Sequence, residues 1–433
     1  MTASREHRAE HGHGAGHVHG AQHGHDHGDG SDLQPVPEYL AGVLAAIRPL
    51  EPARLSLEEA EGGVLAEDMA TTTPLPSFDN SAMDGYAVHA ADLAAAGPDN
   101  PVTLPVTDAV PAGDTRALTV APGTCVRIMT GALMPSGADA VVQVEWTDGG
   151  RQQARFSRPV AAGNAIRRRG DDVPPGAMLL TAGTVLGPAQ IALLAAGGHG
   201  SALVRPRPRV AVIATGNELT DPGTPLVPGR IWDSNSYLLA AAARQAGAVA
   251  ERQRVADDPQ TVLAALADRA ARADLLVTSG GVSMGGEHDV VKAALSDLGT
   301  VTFRKVAMQP GMPQGFGLLG PRQTPIFTLP GNPVSAFVSF HLFVRPALAA
   351  LQGLAPQPPA PARAVLDAPV RSPAGRTSYL RGVLDRATGR VTPLTGQSSH
   401  QLGALAQANA LIIVPRETTS MAAGESADVL SLP

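Results

Sequence analysis

Three turns rich in glycine and small polar residues are the best candidates for chemistry in this 433-residue chain. They lie at residues 215–218 (TGNE), 279–286 (SGGVSMGG) and 330–335 (PGNPVS), each after an apolar run typical of a buried strand. Each combines glycine, hydroxyl groups and N–H groups near a helix start, which together can cradle an anion. None is a Walker sequence or a dinucleotide fingerprint, and one such turn alone usually only reverses the chain. Three at one sheet edge predict a phosphate or pyrophosphate site.

Acidic residues stand beside these turns, at Glu218, Asp233, Asp257 and Asp289. Carboxylates that face a polyphosphate repel it unless a cation lies between them, so the pattern predicts Mg²⁺. The alternative is that each acid simply caps a helix, as Asp258 is expected to do. For any one acid taken singly, helix capping is the favoured interpretation.

A second polar run, residues 77–87 (SFDNSAMDGYA), lies outside the region of the three turns. Its composition predicts a loop, in which Asp84 before Gly85 is expected to form an Asx turn. The functional alternative is that Asp84 reaches across a dimer interface into the pocket formed by the three turns.

The region that must hold the three turns, residues 207–352, alternates strand and helix patterns. Strands are predicted at 210–214, 275–278, 300–306 and 325–329, and helices at 234–245, 258–271, 288–298 and 334–351. Ser234 is expected to cap the first of these helices. The alternation predicts a mostly parallel sheet covered on both faces, with ligands at the carboxyl ends of its strands.

The whole chain is predicted to be a multidomain α/β plus β protein. The expected domains are a mixed scaffold or dimerisation domain (31–75 with 174–206), a small β-rich domain (76–173), the α/β domain (207–352) and a C-terminal, β-barrel-like domain (353–433). In the scaffold domain a helix is expected at 37–50, with a second helical segment entered at Leu57.

Composition limits the classes of function. A formal net charge of −6 weighs against nucleic acid or an anionic membrane as partner. Cys125 is the only cysteine, so one chain cannot form a disulfide or a four-cysteine zinc site. The first thirty residues contain no apolar secretion segment, which favours a cytoplasmic location. The uncharged stretch 178–204 is broken by glycine and proline and is expected to be buried strand and helix, not a membrane span.

Residues 1–30 form a low-complexity tail that contains eight histidines. Imidazoles at this density can chelate divalent zinc, nickel or copper. A disordered, solvated extension that binds metals only adventitiously is the favoured interpretation, and catalysis is not placed there.

Several longer motifs are specific enough to indicate a family. They are SFDNSAMDGYA at 77–87, RIMTGALMP at 127–135, GADAVVQVE at 137–145, RRRGDD at 167–172, ATGNEL at 214–219, SGGVSMG at 279–285 and LPGNPVSA at 329–336. Together they resemble the family of molybdopterin molybdenumtransferases, which includes the gephyrin and plant E-domains. The motifs follow the family's order across roughly residues 35–430.

The resemblance implies an elongated homodimer of four-domain subunits whose α/β domain is similar to molybdopterin adenylyltransferases. It implies binding of adenylylated molybdopterin, supplied by such an adenylyltransferase, with Mg²⁺ and molybdate, cleavage of the phosphoanhydride and release of AMP. The functional residues carried over are Asp84, Asp172, Glu218, Asp257, Asp289 and Lys305, of which Glu218, Asp257 and Asp289 would hold the metal. The residues expected to bind pterin, nucleotide or molybdate are Asn80, Ser81, Thr130, Thr215, Gly216, Asp233, Ser234, Asn235, Ser279, Gly280, Gly281, Ser283, Pro310, Pro313, Pro330, Gly331, Asn332, Pro333, Ser335, Arg376, Arg381, Ser399 and His400.

The chain departs from the family pattern in two places. Family members commonly carry Lys-Pro-Gly-Lys-Pro where this chain has QPGMP at 309–313. Loss of each cationic contact would cost about 1–3 kcal/mol of oxyanion binding unless Arg304, Arg376 or Arg381 compensates. The turn before Asp289 is also one residue longer, so Glu287 competes with Asp289 for the metal role.

Two other functions remain open at this point. The α/β domain alone would suit an ATP-using molybdopterin adenylyltransferase, although the motifs outside that domain argue against it. A scaffold or metallochaperone of the same fold, which binds cofactor without turnover, is suggested by the missing lysines.

Overall fold

The computed structural model describes residues 33–280, 282, 290–297, 299–356 and 360–432. The His-rich tail lies outside these residues, as do Gly281, Ser283, Glu287 and Asp289 of the expected site. The described chain forms two six-stranded sheets, one five-stranded sheet, one three-stranded sheet and several two-stranded pairs. This multidomain α/β plus β architecture is the predicted one.

The first half of the chain is mainly short strands. Its elements are α1 (Val36–Ala46), β1 (Ala53–Ser56), β2 (Val64–Leu65), β3 (Met69–Ala70), β4 (Asn80–Ser81), β5 (Gly85–Val88), β6 (Val102–Val110), β7 (Cys125–Ile128), β8 (Ala140–Gln143), β9 (Gln153–Phe156), β10 (Ile166–Arg167), β11 (Met178–Leu180), α2 (Pro188–Ala196) and β12 (Ser201–Arg205). Strands β8-β5-β7-β6-β9 form the five-stranded sheet, and β1-β12-β2 form the three-stranded sheet. The helical segment expected from Leu57 is wrong, because a single turn closed by the Ala60 N–H on the Ser56 carbonyl ends at Gly62, whose φ is +74°.

The next region is the predicted strand–helix alternation. Its elements are β13 (Arg209–Thr215), β14 (Leu219–Thr220), β15 (Ile231–Trp232), α3 (Asn235–Gln245), β16 (Val249–Val255), α4 (Pro259–Arg272), β17 (Leu275–Ser279), α5 (Val290–Asp297), β18 (Val301–Lys305), β19 (Met308–Gln309), β20 (Pro313–Leu319), β21 (Thr324–Leu329), α6 (Pro333–Ser339) and α7 (Arg345–Leu351). The sheet order is β16-β13-β17-β21-β20-β18. The first four strands are parallel, whereas β20 runs antiparallel to both β21 and β18. The sheet is therefore mostly parallel, as predicted, although the sequence did not reveal β16 or β20.

Both faces of this sheet are covered by helices. Along β13, Val210 and Val212 face one apolar cluster, while Ala211 and Ile213 face another. A strand buried on both faces needs apolar side chains at every position, which explains its continuous hydrophobic run.

The N-termini of two helices test the capping predictions. The Asp258 carboxylate accepts a hydrogen bond from the Thr261 N–H at 2.9 Å, so Asp258 caps α4 as expected. The expected Ser234 cap of α3 is wrong, because the Asp233 carboxylate instead accepts from the Ser236 N–H at 3.0 Å.

A long apolar helix closes the region. Residues Pro333–Leu351 comprise α6, a π-helical stretch at Phe340–Val344, and α7. Among the described residues this is the one helix long and apolar enough to cross a membrane, but 78% of its most apolar window is buried inside the protein. It packs as a core helix, and α1 lies against it, with the Tyr39 and Phe343 rings 4.8 Å apart.

The C-terminal elements are β22 (Ala362–Leu366), β23 (Val370–Arg371), β24 (Thr377–Asp385), β25 (Arg390–Pro393), α8 (Leu402–Gln407), β26 (Ala410–Val414), β27 (Ser420–Met421) and β28 (Ser426–Ser431). The order β24-β25-β22-β28-β26 closes on itself through a second pairing of β24 with β26, which forms the expected barrel. Strand β19 pairs with β24 and so joins the barrel to the α/β region.

Candidate active site at the carboxyl edge of the parallel sheet

The three glycine-rich turns begin at one edge of the sheet. Ala214 near the end of β13 pairs with Ser279 at the end of β17, and Ser279 pairs with Leu329 at the end of β21. On the other side, Thr215 pairs with Val255, the last residue of β16. Four parallel strands therefore end together, and the turns that follow them lie side by side.

These turns enclose a cleft of about 360 Å³. It is lined by Ala214, Thr215, Glu218, Leu219, Ile231, Trp232, Asp233, Ser234, Asn235, Ser279, Gly280, Gly331, Asn332, Pro333, His400 and Leu402. The structure thus brings together residues of all three turns with the start of α3 and with the C-terminal barrel. Backbone N–H groups and hydroxyls in this arrangement suit an anionic ligand.

A larger cavity of about 660 Å³ lies at the opposite edge of the same sheet. It is lined by residues at the starts of β13 and β21, such as Arg209 and Thr324. Open α/β sheets bind their ligands at the carboxyl ends of the strands, so we place the candidate site in the smaller cleft.

Asn235, the first residue of α3, holds two of the turns together. Its Nδ2 donates to the Ser279 Oγ at 2.8 Å and to the Gly331 carbonyl oxygen at 2.6 Å. Its Oδ1 is buried without a hydrogen-bond partner. The side chain therefore fixes the width of the cleft and keeps one acceptor for a ligand.

Asp233 has a structural role as well as a place on the cleft wall. It is 2% exposed, and its carboxylate accepts from both the N–H and the hydroxyl of Ser236. Arg252 donates to that same hydroxyl at 3.1 Å. For Asp233 the helix-capping alternative is therefore the one observed.

Three carboxylates are expected as metal ligands, and two of them, Glu218 and Asp257, lie among the described residues. Glu218 is exposed and Asp257 is half-buried. Glu218 lies three residues after β13 and Asp257 two residues after β16, so both follow neighbouring strand ends. A Cβ on Gly216 would lie 2.6 Å from the Glu218 Oε2, so this carboxylate folds back over the first turn. No group of three His, Cys, Asp or Glu side chains with metal-binding spacing occurs among the described residues, and Asp289 lies outside them. Glu218 lines the cleft, whereas Asp257 does not. Mg²⁺ commonly takes one or two carboxylates and fills its other positions with water and substrate phosphate.

The C-terminal barrel contributes polar groups to the rim. The Asn332 Nδ2 donates to the Ser399 Oγ at 3.0 Å, and the Val334 N–H donates to the Ser399 carbonyl oxygen at 3.0 Å. Arg381, only 1% exposed, donates to the carbonyl oxygens of Gly396 and Ser398, and its Nε has no partner. Burial lowers the pKa of Arg381.

Among the described residues the Arg381 guanidinium bonds to main-chain carbonyl oxygens and to no carboxylate. A buried cation of this kind favours an anionic ligand nearby.

The segment that departs from the family pattern lies at the same edge. Lys305 ends β18 and pairs with Pro313, which begins β20. Arg376 donates to the Gln309 Oε1 at 3.3 Å, so a guanidinium stands beside the position where the family commonly has a lysine. Lys305, Pro310 and Pro313 do not line the cleft itself.

Asp84 belongs to the five-stranded sheet module and is held by one neighbour. Its Oδ1 accepts from the Thr130 N–H at 2.7 Å and the Thr130 hydroxyl at 2.8 Å, and these bonds lower the pKa of Asp84. Asn80 and Ser81 are buried and bond to nearby backbone carbonyls, which gives them a local structural role. Asp172 is exposed.

Within one chain, none of the described cleft-lining residues comes from residues 76–173. Asp84, Asp172, Thr130, Asn80 and Ser81 are therefore not brought to the cleft by a single subunit.

Several apolar residues on the cleft wall were missed by the sequence reasoning, among them Leu219, Ile231, Trp232 and Leu402. Trp232 is 50% exposed and Ile231 is 55% exposed. Their signal in the sequence is weak, because an isolated apolar pair in a long turn carries no periodicity.

Comparison with known families and proteins gives a consistent result over the chain. Family models match for the MoeA N-terminal region (domain I and II) at residues 34–198, a probable molybdopterin binding domain at 211–350, and the MoeA C-terminal region (domain IV) at 363–432.

Curated relatives cover nearly the same range. Molybdopterin molybdenumtransferase 2 of Mycobacterium tuberculosis is 47% identical over 409 residues, which cover 92% of this chain and 100% of that protein. Molybdopterin molybdenumtransferase of Bacillus subtilis is 36% identical over 405 residues, which cover 92% and 93%.

A similar solved structure is the molybdopterin biosynthesis moeA protein from Pyrococcus horikoshii OT3. It is 29% identical, with a TM-score of 0.69, and the match covers 92% of this chain and 100% of that chain.

Proposed function

This chain belongs to the family of molybdopterin molybdenumtransferases, enzymes of molybdenum cofactor biosynthesis, and we propose that it inserts molybdate into adenylylated molybdopterin with Mg²⁺-dependent release of AMP. The observation that carries the proposal is that three glycine-rich turns line one cleft together with His400 of the barrel. Ser399, next to His400, bonds to Asn332 of the third turn. This arrangement offers N–H and hydroxyl donors for a pyrophosphate on the α/β side and polar groups of the barrel on the other side.

In the proposed reaction, water attacks a phosphorus of the substrate's phosphoanhydride, and the bond to the bridging oxygen breaks to leave AMP and the pterin phosphate. Glu218 and Asp257 would hold Mg²⁺ together with Asp289, which lies outside the described residues. When bound, Mg²⁺ supplies charge neutralisation at the phosphoanhydride. The turns at Thr215 and Ser279 position the phosphates, and no cysteine or serine nucleophile is required.

We place the molybdate substrate near the barrel rim, where Arg381 lacks an anionic partner among the described residues. The two pterin thiols would replace one molybdate oxygen, which leaves as water with the two thiol protons. Arg376, held by Gln309, stands where the family commonly has a lysine, and this contact supports partial compensation for the missing cation. Lys305 at the same sheet edge would add to the attraction of the oxyanion.

The domains predicted from the sequence, a cytoplasmic location and a homodimer are parts of the same proposal. The support for the homodimer is that Asp84 and Asp172 lie away from the cleft of their own chain. A second copy would bring these acids to the cleft, beside Glu218. An upstream molybdopterin adenylyltransferase would supply the substrate.

The test is anaerobic incubation of the purified protein with adenylylated molybdopterin, Mg²⁺ and a molybdate series, with AMP followed by chromatography. Saturable, molybdate-dependent AMP release without ATP is expected. Pterin binding without AMP release would indicate a carrier or scaffold, and ATP consumption would indicate an adenylyltransferase.

Asp84→Asn is expected to lower the rate by about tenfold or more, because it removes a carboxylate that a second copy is proposed to bring to the cleft beside Glu218, where Mg²⁺ would be held. Asp99→Asn, an exposed acid of the same module, is the matched control and should leave the rate unchanged. Equal rates for the two variants would contradict the proposed role of Asp84.

A further inference from the structure

An exposed aromatic ring stands on the wall of the cleft. Trp232 is 50% exposed, although indole rings usually bury most of their area in a protein without a ligand. It lies between exposed Ile231 and buried Asp233, so it reaches the cleft at the point where the chain enters α3. Together with exposed Ile231, the ring gives this part of the wall an apolar surface, which suggests a flat apolar ligand surface opposite it.

The Trp232 ring is anchored although half of the residue is exposed. Its Nε1–H donates to the Thr224 carbonyl oxygen at 3.0 Å. The backbone on either side is also fixed, because Trp232 pairs with Thr220 and the Asp233 N–H donates to the Thr220 carbonyl oxygen at 2.9 Å. A side chain that is held at its polar edge and is half exposed on the cleft wall is arranged to stack, since little rotamer entropy remains to be lost on binding.

We propose that Trp232 is a stacking platform for a planar nitrogen heterocycle of the substrate, either its adenine or its pterin ring. This inference rests on the proposed function, because the substrate named there has a heterocycle at each end of its phosphates. The platform shares one cleft with the phosphate-binding turns at Thr215 and Gly331, so a ring on Trp232 and a phosphate on the turns fit one molecule. The ligand class is therefore a purine or pterin that carries a phosphate.

The chain allows a direct optical test, because it contains only two tryptophans. The other, Trp146, lies in the β-rich module with the Arg158 guanidinium 4.3 Å from its ring centroid. In a Trp146→Phe variant the emission comes from Trp232 alone. Titration of this variant with AMP, and separately with neopterin, should quench the emission with at least one probe, and the probe that quenches identifies the ring. The matched Trp232→Phe variant, which keeps only Trp146, should show no quenching.

Affinity measurements by calorimetry separate stacking from anchoring. Trp232→Ala should weaken binding of the quenching probe by about tenfold, as loss of one base–aromatic stack commonly does. Trp232→Phe keeps a ring face but loses the Nε1–H bond, and should bind within about threefold of the wild type. If the phenylalanine variant were as weak as the alanine variant, the anchor and not the ring face would be responsible, and the proposal would be wrong.

Failure of this inference and failure of the proposed function give different results. Probe binding with unchanged Trp232 emission, or no binding of either probe, overturns the stacking platform whatever the enzyme's activity. Quenching together with an absence of molybdate-dependent AMP release retains the platform and rejects the proposed reaction.

Discussion

Buried His341 gives a quantitative prediction about stability and pH. Its side chain is 4% exposed, its Nε2 has no hydrogen-bond partner, and its ring centroid lies 4.3 Å from that of Phe337. Burial, with a smaller effect of Arg345, lowers the pKa of His341 from 6.5 to about 4. The folded chain thus keeps this imidazole neutral, whereas the unfolded chain protonates it as the pH falls below 6.5.

Well above pH 6.5 the imidazole is neutral in both the folded and the unfolded chain, so its titration does not affect the free energy of unfolding. As the pH falls from about 6.5 towards 4, only the unfolded chain binds the proton, and the free energy of unfolding decreases. Between about pH 7.5 and about pH 5 the free energy of unfolding should fall by roughly 2 kcal/mol on account of His341 alone. His341→Leu, an apolar side chain of similar size, removes this titration but not those of the carboxylates. Chemical denaturation of both proteins, followed by circular dichroism at the two pH values, measures the difference. Equal losses of stability in the two proteins would refute the reasoning.

Three other substitutions test the fold and its connection to the site. Gly85→Ala places a Cβ 1.9 Å from the Val142 carbonyl oxygen, so the strand must move. We expect at least about 2 kcal/mol of destabilisation, measured by thermal melting, and a loss of the AMP-release rate that depends on the adjacent Asp84. Phe343→Ala empties a fully buried site and should cost about 3–5 kcal/mol in the free energy of unfolding. Asp274→Ala removes the carboxylate that accepts three N–H groups of Arg209, and should cost about 1–3 kcal/mol in the same assay while AMP release at low temperature stays unchanged.

The α/β region was predictable because its patterns are local. Continuous apolar runs such as residues 210–214 occur where both sheet faces are covered, and Asp258 has the residue type and position of a helix cap. The clustering of the three turns was predictable because the strands of one parallel sheet end at the same edge. Strand β16 was missed because its sequence, VAERQRV, is mostly polar, as an edge strand exposed on one side can be.

The rest of the site depends on contacts between distant parts of the chain. Asn235 acquires its role from Ser279 and Gly331, which lie 44 and 96 positions away, and the spacing of residues does not reveal these contacts. The pairing of Arg376 with Gln309 joins the barrel to the α/β region across 67 positions, and only the folded structure brings the two together. Trp232 was missed because the half exposure of an anchored ring is a property of three-dimensional packing.

Helix α1 has a consequence for how the protein can be divided. Its side chains Tyr39, Leu40 and Val43 share a core with the α/β sheet, although the matching family model for that region begins only at residue 211. A fragment that starts there would leave an apolar hole where the helix belongs and would be prone to aggregate. The region that the family model matches is therefore shorter than the set of elements that share this core, and we expect that an exchange of this domain between relatives would have to include a helix from more than 160 residues earlier in the chain.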